Sequence, residues 1–392
     1  MGMTCRSASR CIPVALGISL FGLAAAHPQR PATAVTPTAL SSARQGAVPY
    51  DRDLTDAARV LAGLPPEQAD RLSAVANQPV WQEWKREFDA DWTRATTERF
   101  SRMRTWRDEQ LSPQVGPWGT LMYPFSGPDI LNAYLLFPGC RTYVLFGLEH
   151  PGTLPALERL SPDLLSEFLT HVQHALGDLL VRNYFITRHM MTDVEASDLH
   201  GNFPLMAVFL ARLDARIVSA RALEIDQDGE LRARGDRAAA PALEIVFTRD
   251  GSAPQTLVYF RAQAEDQALR MHPGVVRYLE RQAPFVTFLK SASYLLHTIQ
   301  FSVMRDLLLA KSRLILQDDS GVPYRFFRAA EWNVALYGRY QKPVKDFNYG
   351  FQPDLAKAYA VENAVKPLTF SFGYHWETGS STVMLALRKR TS

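Results

Sequence analysis

From Gly116 onward the sequence changes to short apolar runs that are cut by glycine and proline. Such runs are typical of buried β-strands. The clearest examples are TYVLFGL at 142–148 and RLILQ at 313–317. Helical patterns lie between the runs without strict alternation, and several runs are joined by hairpin-like turns. The sequence therefore predicts an α+β fold, with a mixed or mainly antiparallel sheet packed against helices.

Three apolar segments in the middle of the chain predict an antiparallel meander. They cover 215–225, 242–248 and 256–262, and Asp-Gly pairs at 228–229 and 250–251 lie between them. Asp-Gly favours the tight turns that join antiparallel strands. The three segments should therefore pair in the order in which they occur along the chain, and the basic stretch 231–240 between two of them is predicted to be a loop.

Three further elements are predicted from local patterns. Ser161-Pro162-Asp163 has the residues of a helix start, with Ser as the N-cap and Pro at the first position. A second helix is predicted from about Ser293 to Lys311, and a strand is predicted at 368–375.

The segment 80–110 carries the clearest helical pattern. Its bulky apolar residues recur at steps of three, four or eight and so keep one face of a helix, while charged residues occupy the other face. The pattern predicts a long N-terminal amphipathic helix that packs its aromatic face inward. An exposed aromatic platform for sugar rings or for a membrane is the alternative. The apolar positions are Trp81, Trp84, Phe88, Trp92, Phe100 and Met103.

The N-terminus has the three parts of a secretory signal peptide. Arg6 and Arg10 precede an uncharged apolar run from Ile12 to Ala26, which ends in three alanines before His27. An uncleaved N-terminal anchor is the alternative. The expected organisation is a signal peptide at 1–26, a disordered Pro/Ala/Thr-rich tether at 27–49, a helical segment at 50–112 and an α+β main domain at 113–392. No transmembrane segment is expected in the mature chain, which would be periplasmic or secreted.

Charge and motifs exclude several classes of function. The 43 basic and 40 acidic residues nearly balance, which argues against a nucleic-acid partner. The sequence contains no GxSxG, HExxH, GxxxxGK or GxGxxG motif. This excludes the hydrolases, metalloproteases, nucleotide-binding proteins and dehydrogenases that carry these signatures. Cys140 is the single cysteine after the leader, and it is expected to be a buried core residue. We expect no cofactor and no metal.

Acidic and histidine residues recur on turns that follow apolar runs. Asp129, Glu149 with His150, His200, and Asp318 with Asp319 all lie on Gly/Pro-containing turns. Turn chemistry alone explains such residues, and Asp129 could simply cap a helix at 130–136. Functional side chains also often sit on turns that a rigid scaffold positions. Both interpretations therefore stay open at this point.

One specific arrangement would give these turns a shared function. Glu149 and Asp318 each come just after an apolar strand. If the two strands are parallel neighbours, their ends lie at the same edge of the sheet; if the strands are antiparallel, the ends point in opposite directions and the two turns do not meet. We therefore expect Glu149 and at least one of Asp318 and Asp319 to line one cleft, with His150 as a proton carrier. The candidate catalytic residues are Glu149, His150, Asp318, Asp319 and Asp129.

Two further groups of residues are candidates for binding or catalysis. Arg339 and Tyr340 lie at the basic and aromatic end of a predicted strand and, with His200, could hold an anionic or sugar ligand. Lys290, Ser293 and His297 surround one predicted strand-to-helix junction, where a nucleophile pair is possible.

Two functions are consistent with this pattern. The first is an exported binding or structural protein that uses no cofactor, with an unknown small-molecule, glycan or protein ligand. The alternative is a secreted hydrolase or lyase in which carboxylates and histidine act as acid and base. Glycosidase-like catalysis would require two carboxyl groups about 5 to 10 Å apart across a cleft.

The leader makes a direct prediction. If the tripartite pattern is a signal peptide, the exported protein begins at or near His27. N-terminal sequencing of the protein from the periplasm or the medium checks this. A chain that keeps Met1 and sediments with the membrane would instead indicate the uncleaved anchor.

Overall fold

The computed structural model describes residues 48–68, 72–114, 119–185, 201–235, 240–361, 363–377 and 379–390. Within these ranges, eleven strands form a single sheet. The strands are β1 Thr120–Pro124, β2 Thr142–Gly147, β3 Ala215–Ile225, β4 Leu231–Ala233, β5 Pro241–Arg249, β6 Gln255–Arg261, β7 Phe285–Leu289, β8 Ser312–Gln317, β9 Trp332–Gly338, β10 Val365–Lys366 and β11 Thr382–Arg388.

Eleven α-helices accompany this sheet in the described ranges. They are α1 Arg52–Leu61, α2 Ser73–Ala76, α3 Pro79–Ala95, α4 Ser101–Trp106, α5 Ile130–Leu136, α6 Pro162–Arg182, α7 Phe203–Arg212, α8 Asp266–Met271, α9 Pro273–Arg281, α10 Ser302–Lys311 and α11 Pro353–Tyr359. The predicted α+β class with a mixed sheet is confirmed.

The middle of the sheet consists of parallel strands. The strand order is β10-β9-β11-β8-β7-β1-β2-β6-β5-β3-β4. Neighbours from β8 to β6 pair in parallel, whereas β11 pairs with β8 and β9, and β5 pairs with β6 and β3, in antiparallel fashion. The carboxyl ends of β8, β7, β1, β2 and β6 therefore meet at one edge.

The direction in which the chain adds strands reverses at β1. On one side of β1 the chain forms β2 and then, through β3 and β5, the strand β6, which lies next to β2. It then crosses to the other side of β1 and forms β7 and β8. The loops after β1 and after β7 consequently diverge. In open parallel sheets such a reversal leaves a crevice outside the carboxyl ends of the strands, which is where ligands bind.

The predicted meander is confirmed. β3, β5 and β6 pair antiparallel, with one irregularity in the β3 register between Ile217 and Ser219. The basic stretch after β3, expected as a loop, begins with the short strand β4, which pairs with the end of β3.

Both faces of the central sheet are covered by helices. Leu121 and Tyr123 of β1 pack into one apolar cluster with α1, α3, α4, α6 and α7, whereas Met122 packs into a second cluster with α9 and α10. Successive residues of a strand point to opposite faces, so β1 contributes to both layers. Burial on both faces explains why the central strands read as continuous apolar runs rather than alternating ones. Cys140 is buried in the first cluster, and burial raises the pKa of its thiol.

The segment 80–110 is not one continuous α-helix, so the long N-terminal amphipathic helix is not supported as a single element. The α-helix Pro79–Ala95 is followed by a π-helical turn at Thr96–Phe100, by α4, and by a second π-helical turn at Arg107–Leu111. Each π turn inserts residues into the helical repeat and rotates the apolar stripe. The aromatic positions nevertheless face inward: Trp81, Trp84, Phe88 and Phe100 are buried, and Trp92 is partly buried.

Two other predicted elements differ in the structure. A helix was expected from residue 293, but the chain makes two 3₁₀ turns between Leu295 and Phe301, and the α-helix begins only at Ser302. A strand was expected at 368–375, where the structure has only an isolated bridge between Phe372 and His375. Both segments lie against the cavity described below, where local geometry departs from regular repeats.

None of the helices in the described ranges is both long and apolar enough to cross a bilayer.

The buried tryptophans provide a test of how the helical segment contributes to stability. Trp84 is buried, and its indole Nε1 donates to the Leu61 carbonyl oxygen at 3.2 Å. Trp84→Ala should lower the free energy of unfolding by about 3 to 5 kcal/mol, because it leaves a cavity and an unpaired carbonyl. Urea unfolding followed by circular dichroism measures this.

Trp376→Ala is the matched control for this measurement. The Trp376 side chain is more than one third exposed, so its truncation should change stability by less than about 1 kcal/mol. Equal effects of the two substitutions would contradict the inward packing of the aromatic face.

Candidate functional site

A cavity of about 770 Å³ opens at the carboxyl edge of the parallel strands, next to the reversal in strand order. Its polar and apolar lining comes mainly from the loops after four of these strands. It includes residues 125–127 and Asp129 after β1, Leu148 and Glu149 after β2, 262–265 after β6, and Lys290, Ser291 and Ser293 after β7. The sheet therefore places the site where α/β architectures usually bind ligands.

A buried ion pair forms the base of the cavity. The Lys290 Nζ lies 2.7 Å from the Asp129 Oδ2, and the two side chains are only 1% and 2% exposed. The lysine ammonium also donates to the backbone carbonyl of Asn183 at the end of α6. Burial lowers the pKa of Lys290, and the adjacent Asp129 carboxylate opposes that shift. The pair joins β7, the start of α5 and the end of α6.

Asp129 is fully engaged by its neighbours. It caps α5 by accepting from the backbone N–H of Asn132 at 3.0 Å, and it also accepts from the Asn132 side-chain amide. The Tyr123 hydroxyl donates to its Oδ2 at 3.0 Å. Burial, followed by the Asp129 charge, raises the pKa of Tyr123. These contacts fix the Asp129 side chain at the start of α5.

Glu149 lines the same cavity as Asp129, just beyond β2. It is only 4% exposed, and the Tyr259 hydroxyl donates to its backbone carbonyl oxygen at 2.9 Å and lies 3.5 Å from its Oε2. His150 is not among the lining residues; its ring Nε2 contacts the guanidinium of Arg261. Of these two neighbours in the turn after β2, Glu149 lines the cavity and His150 does not.

Asp318 and Asp319 are buried behind the cavity rather than among its lining residues. They follow β8, and β8 runs in the same direction as β2, but β7 and β1 lie between these two strands. β2 and β8 are therefore three strand spacings apart, which is roughly 14 Å. The parallel direction that the sequence argument required is present, whereas the adjacency is not. A catalytic role for either aspartate stays a prediction.

The two aspartates hold the loop that follows β7. The Asp318 Oδ2 accepts from the backbone N–H of Ser291 at 2.9 Å, and the Asp319 Oδ2 accepts from the Tyr294 hydroxyl at 2.7 Å. Burial raises the pKa of Asp318; burial and the neighbouring Asp318 charge raise the pKa of Asp319 to about 7. Gly373 packs so closely that a Cβ there would lie 2.1 Å from the Asp318 Oδ2, and its φ of +69° also favours glycine.

This loop has an unusual backbone. Ser291, Ser293 and Tyr294 adopt φ values of +53°, +52° and +54°, and Phe125 after β1 has a φ of +60°. Left-handed conformations at non-glycine residues cost of order 1–3 kcal/mol each, persist only where the surroundings enforce them, and cluster at functional sites. The hydroxyl of Ser291, a lining residue, is shielded from solvent and has no hydrogen-bond partner.

Aromatic rings form most of the apolar lining, in two clusters. In the first, the ring centroid of Phe125 lies 5.9 Å from that of Phe146 and 6.1 Å from that of Phe301. In the second, the ring centroid of Tyr374 lies 4.9 Å from that of Tyr184 and 5.1 Å from that of Phe347. All six residues line the cavity. The cavity therefore combines flat apolar surfaces with a few polar groups, as small-molecule sites generally do.

The remaining sequence candidates lie elsewhere or cannot be placed. Arg339 is exposed, and Tyr340 accepts from the backbone N–H of Gln352 at 2.8 Å and stacks on Phe351; neither lines the cavity. His200 lies outside the described residues.

Sequence reasoning gave little weight to Lys290 and missed Ser291 and the aromatic lining. The rule applied to Glu149, a polar residue just after a buried strand, would also have singled out Lys290 and Ser291 after β7. Among the described residues, no group of three or more His, Cys, Asp or Glu side chains is placed to hold a metal ion.

The ion pair makes a prediction about stability. Lys290→Met removes the cation and leaves Asp129 buried without its charge partner, so the free energy of unfolding should fall by about 3 to 5 kcal/mol. The double variant Asp129→Asn with Lys290→Met carries no buried charge at the pair and should be more stable than the single variant. Urea unfolding at pH 7 measures both. A single variant as stable as the unmodified protein would contradict the role assigned to the pair.

Comparison of the chain with protein-family models, with curated proteins and with solved structures finds no match in any of the three.

Proposed function

We propose that this chain is an exported protein that binds a small organic molecule in the cavity and requires no cofactor to do so. The observation that carries the proposal is the cavity itself, about 770 Å³ in volume at the reversal in strand order. Cavities of roughly 300–1,000 Å³ that combine aromatic walls with a few converging polar groups are typical of small-molecule sites. Export rests on the N-terminal leader.

The contacts of the titratable groups favour binding over acid–base chemistry. Asp129 is already engaged by Lys290, Tyr123 and Asn132, whereas Asp318 and Asp319 hold a loop. No histidine occurs among the cavity-lining residues in the part of the chain that the structure describes. The hydrolase or lyase alternative, which needs a mobile proton on a carboxylate or histidine in the cavity, therefore has less support.

Polar residues of the lining suit the orientation of a ligand. Glu149 and Ser291 both line the cavity. Both sit on loops whose ends are fixed by central strands, so they present a preformed pattern and lose little entropy when a ligand binds. A ligand with an apolar ring and one polar end would match this lining.

A neutral fluorescent probe tests the proposal. N-phenyl-1-naphthylamine becomes more fluorescent in apolar sites, and we expect saturable enhancement with the full chain at micromolar protein. Leu148 lines the cavity and is 45% exposed, so Leu148→Trp adds bulk at the site and should weaken probe binding at least fivefold.

Leu164→Trp is the matched control. Leu164 is 48% exposed on α6 and does not line the cavity, so this variant should bind the probe like the unmodified protein. Unsaturable fluorescence, or equal loss of binding in both variants, would count against the cavity as the site.

A further inference from the structure

Resting on this proposed function, we infer that binding in the cavity is coupled to one proton, which the neighbouring carboxyl groups of Asp318 and Asp319 share behind the cavity wall. The described wall requires this proton, and its loss at alkaline pH loosens the wall and weakens binding. Three features carry the inference: the isolation of the two carboxyl groups from water and from cations, their contacts with one loop, and the backbone of that loop.

The two carboxyl groups are shielded from water. Asp318 is 1% exposed, and Asp319 is 3% exposed. In the described ranges, the hydrogen-bond donors that reach their oxygens are all neutral. These donors are the Ser291 N–H, the N–H and hydroxyl of Ser320, and the Tyr294 hydroxyl.

The pair also lacks a cation of its own in the part of the chain that the structure describes. The charge of Lys290 acts on Asp318, but the Lys290 ammonium forms its ion pair with Asp129. Two like charges at adjacent buried positions disfavour each other, so the pair titrates as a unit and keeps one proton more readily than two exposed carboxyl groups do.

This proton is lost close to neutral pH. Burial, followed by the charge of Asp318, raises the pKa of Asp319 to about 7, although the hydrogen bond from Tyr294 opposes the shift. An aspartate in water has a pKa near ~3.9. The described arrangement therefore favours the protonated pair, and a pH above about 7 favours an arrangement in which Asp319 reaches water.

The contacts of Asp318 connect the pair to the backbone of the cavity wall. Its Oδ2 accepts from the Ser291 N–H at 2.9 Å, and Ser320, which donates to Asp318, accepts from the Ala292 N–H at 2.7 Å. Ser291 and Ser293 line the cavity, and both have left-handed backbones. Such conformations persist only where the surroundings enforce them, so a change in these anchors changes the wall.

The contact of Asp319 connects the pair to the aromatic part of the wall. Its Oδ2 accepts from the Tyr294 hydroxyl at 2.7 Å. The Tyr294 ring centroid lies 5.4 Å from that of Phe347 and 6.1 Å from that of Tyr374, and both of these rings line the cavity. Ionisation of Asp319 therefore acts on a residue that supports two lining rings.

Other titratable side chains face the pair from the neighbouring elements. Burial lowers the pKa of His297, on the 3₁₀ turns after β7, to about 4, and it lowers the pKa of His375. Neither histidine therefore ionises in the interval above pH 7. Burial raises the pKa of the facing tyrosines, which are Tyr123, Tyr294, Tyr340, Tyr359 and Tyr374.

The experiment measures the affinity of the full chain for N-phenyl-1-naphthylamine between pH 6 and pH 8.5. The dye is uncharged over this interval, so a change in its affinity reports a change in the protein. We expect constant affinity up to about pH 7 and a loss of at least about threefold by pH 8.5, because apparent affinity falls with the fraction of binding-competent protein.

Two variants and a control assign the proton. Asp319→Asn is neutral at every pH, so it should bind the dye at pH 8.5 as tightly as at pH 6. Tyr294→Phe removes a donor that favours the ionised carboxylate, so the loss of affinity should move to higher pH. Asp250→Asn changes an exposed acid outside the lining and should keep the profile of the unmodified protein. Lys290 is unchanged in all three variants, so a flat profile in Asp319→Asn excludes its titration as the cause.

A second measurement does not use the dye. Asp319 holds its proton more tightly in the folded chain than in the unfolded chain, so its contribution to stability falls as the pH rises from about 4 to about 7. Asp319→Asn lacks this titration. Urea unfolding at pH 5 and pH 8 should therefore show the variant gaining stability relative to the unmodified protein at the higher pH.

The outcomes separate this inference from the proposed function. If the dye binds saturably with the same affinity at every pH, the inference is overturned and the proposed function stands. If the dye binds at no pH, both are overturned. A loss of affinity above pH 7 that Asp319→Asn retains, or a relative stability of that variant that does not change with pH, would also overturn the role assigned to the pair.

Discussion

The ion pair between Asp129 and Lys290 connects the parts of the molecule that form the site. Lys290 follows β7, and Asp129 is the N-cap of α5, which follows β1. The Lys290 ammonium also donates to the Asn183 carbonyl at the end of α6. The Asn183 side chain extends the network to the carbonyl oxygen of Ser371 at 3.0 Å. Two charges excluded from water are costly, and such a pair is rarely the most stabilising solution at its position. What it provides here is a defined position for three chain segments around the crevice.

The reversal in strand order explains why that crevice exists. Loops that leave β1 and β7 must diverge, because α5 leads towards β2 on one side and the 3₁₀ turns after Tyr294 lead towards β8 on the other. The space between them is not filled by regular structure. Asp318 and Asp319 then fix the β7 loop through its backbone and Tyr294, and this loop contains three residues in the left-handed conformation. Acidic residues that resemble catalytic ones in sequence thus act as supports.

The sequence predicts structure correctly where periodicity and burial are local properties. Buried central strands appear as apolar runs, the Asp250-Gly251 turn joins β5 to β6 in the meander, and Ser161-Pro162 specifies the start of α6 through a side-chain cap. It failed over 293–301 and 368–375, where the backbone follows the walls of the cavity. There, hydrogen bonds to distant side chains, such as that from the Ser293 N–H to the Tyr374 hydroxyl at 3.2 Å, replace local repeats.

The sequence by itself determined the class of fold, the buried strands and the positions where polar residues follow them, because each depends on the side chains of neighbouring residues. Only the tertiary structure decided that Glu149 and Asp129 share a cavity and that Asp318 and Asp319 lie behind it. The reason is strand order: β2 is adjacent to β1, whereas two strands separate β2 from β8. Strand order depends on how helices cover both faces of the sheet, and no local spacing along the chain records it.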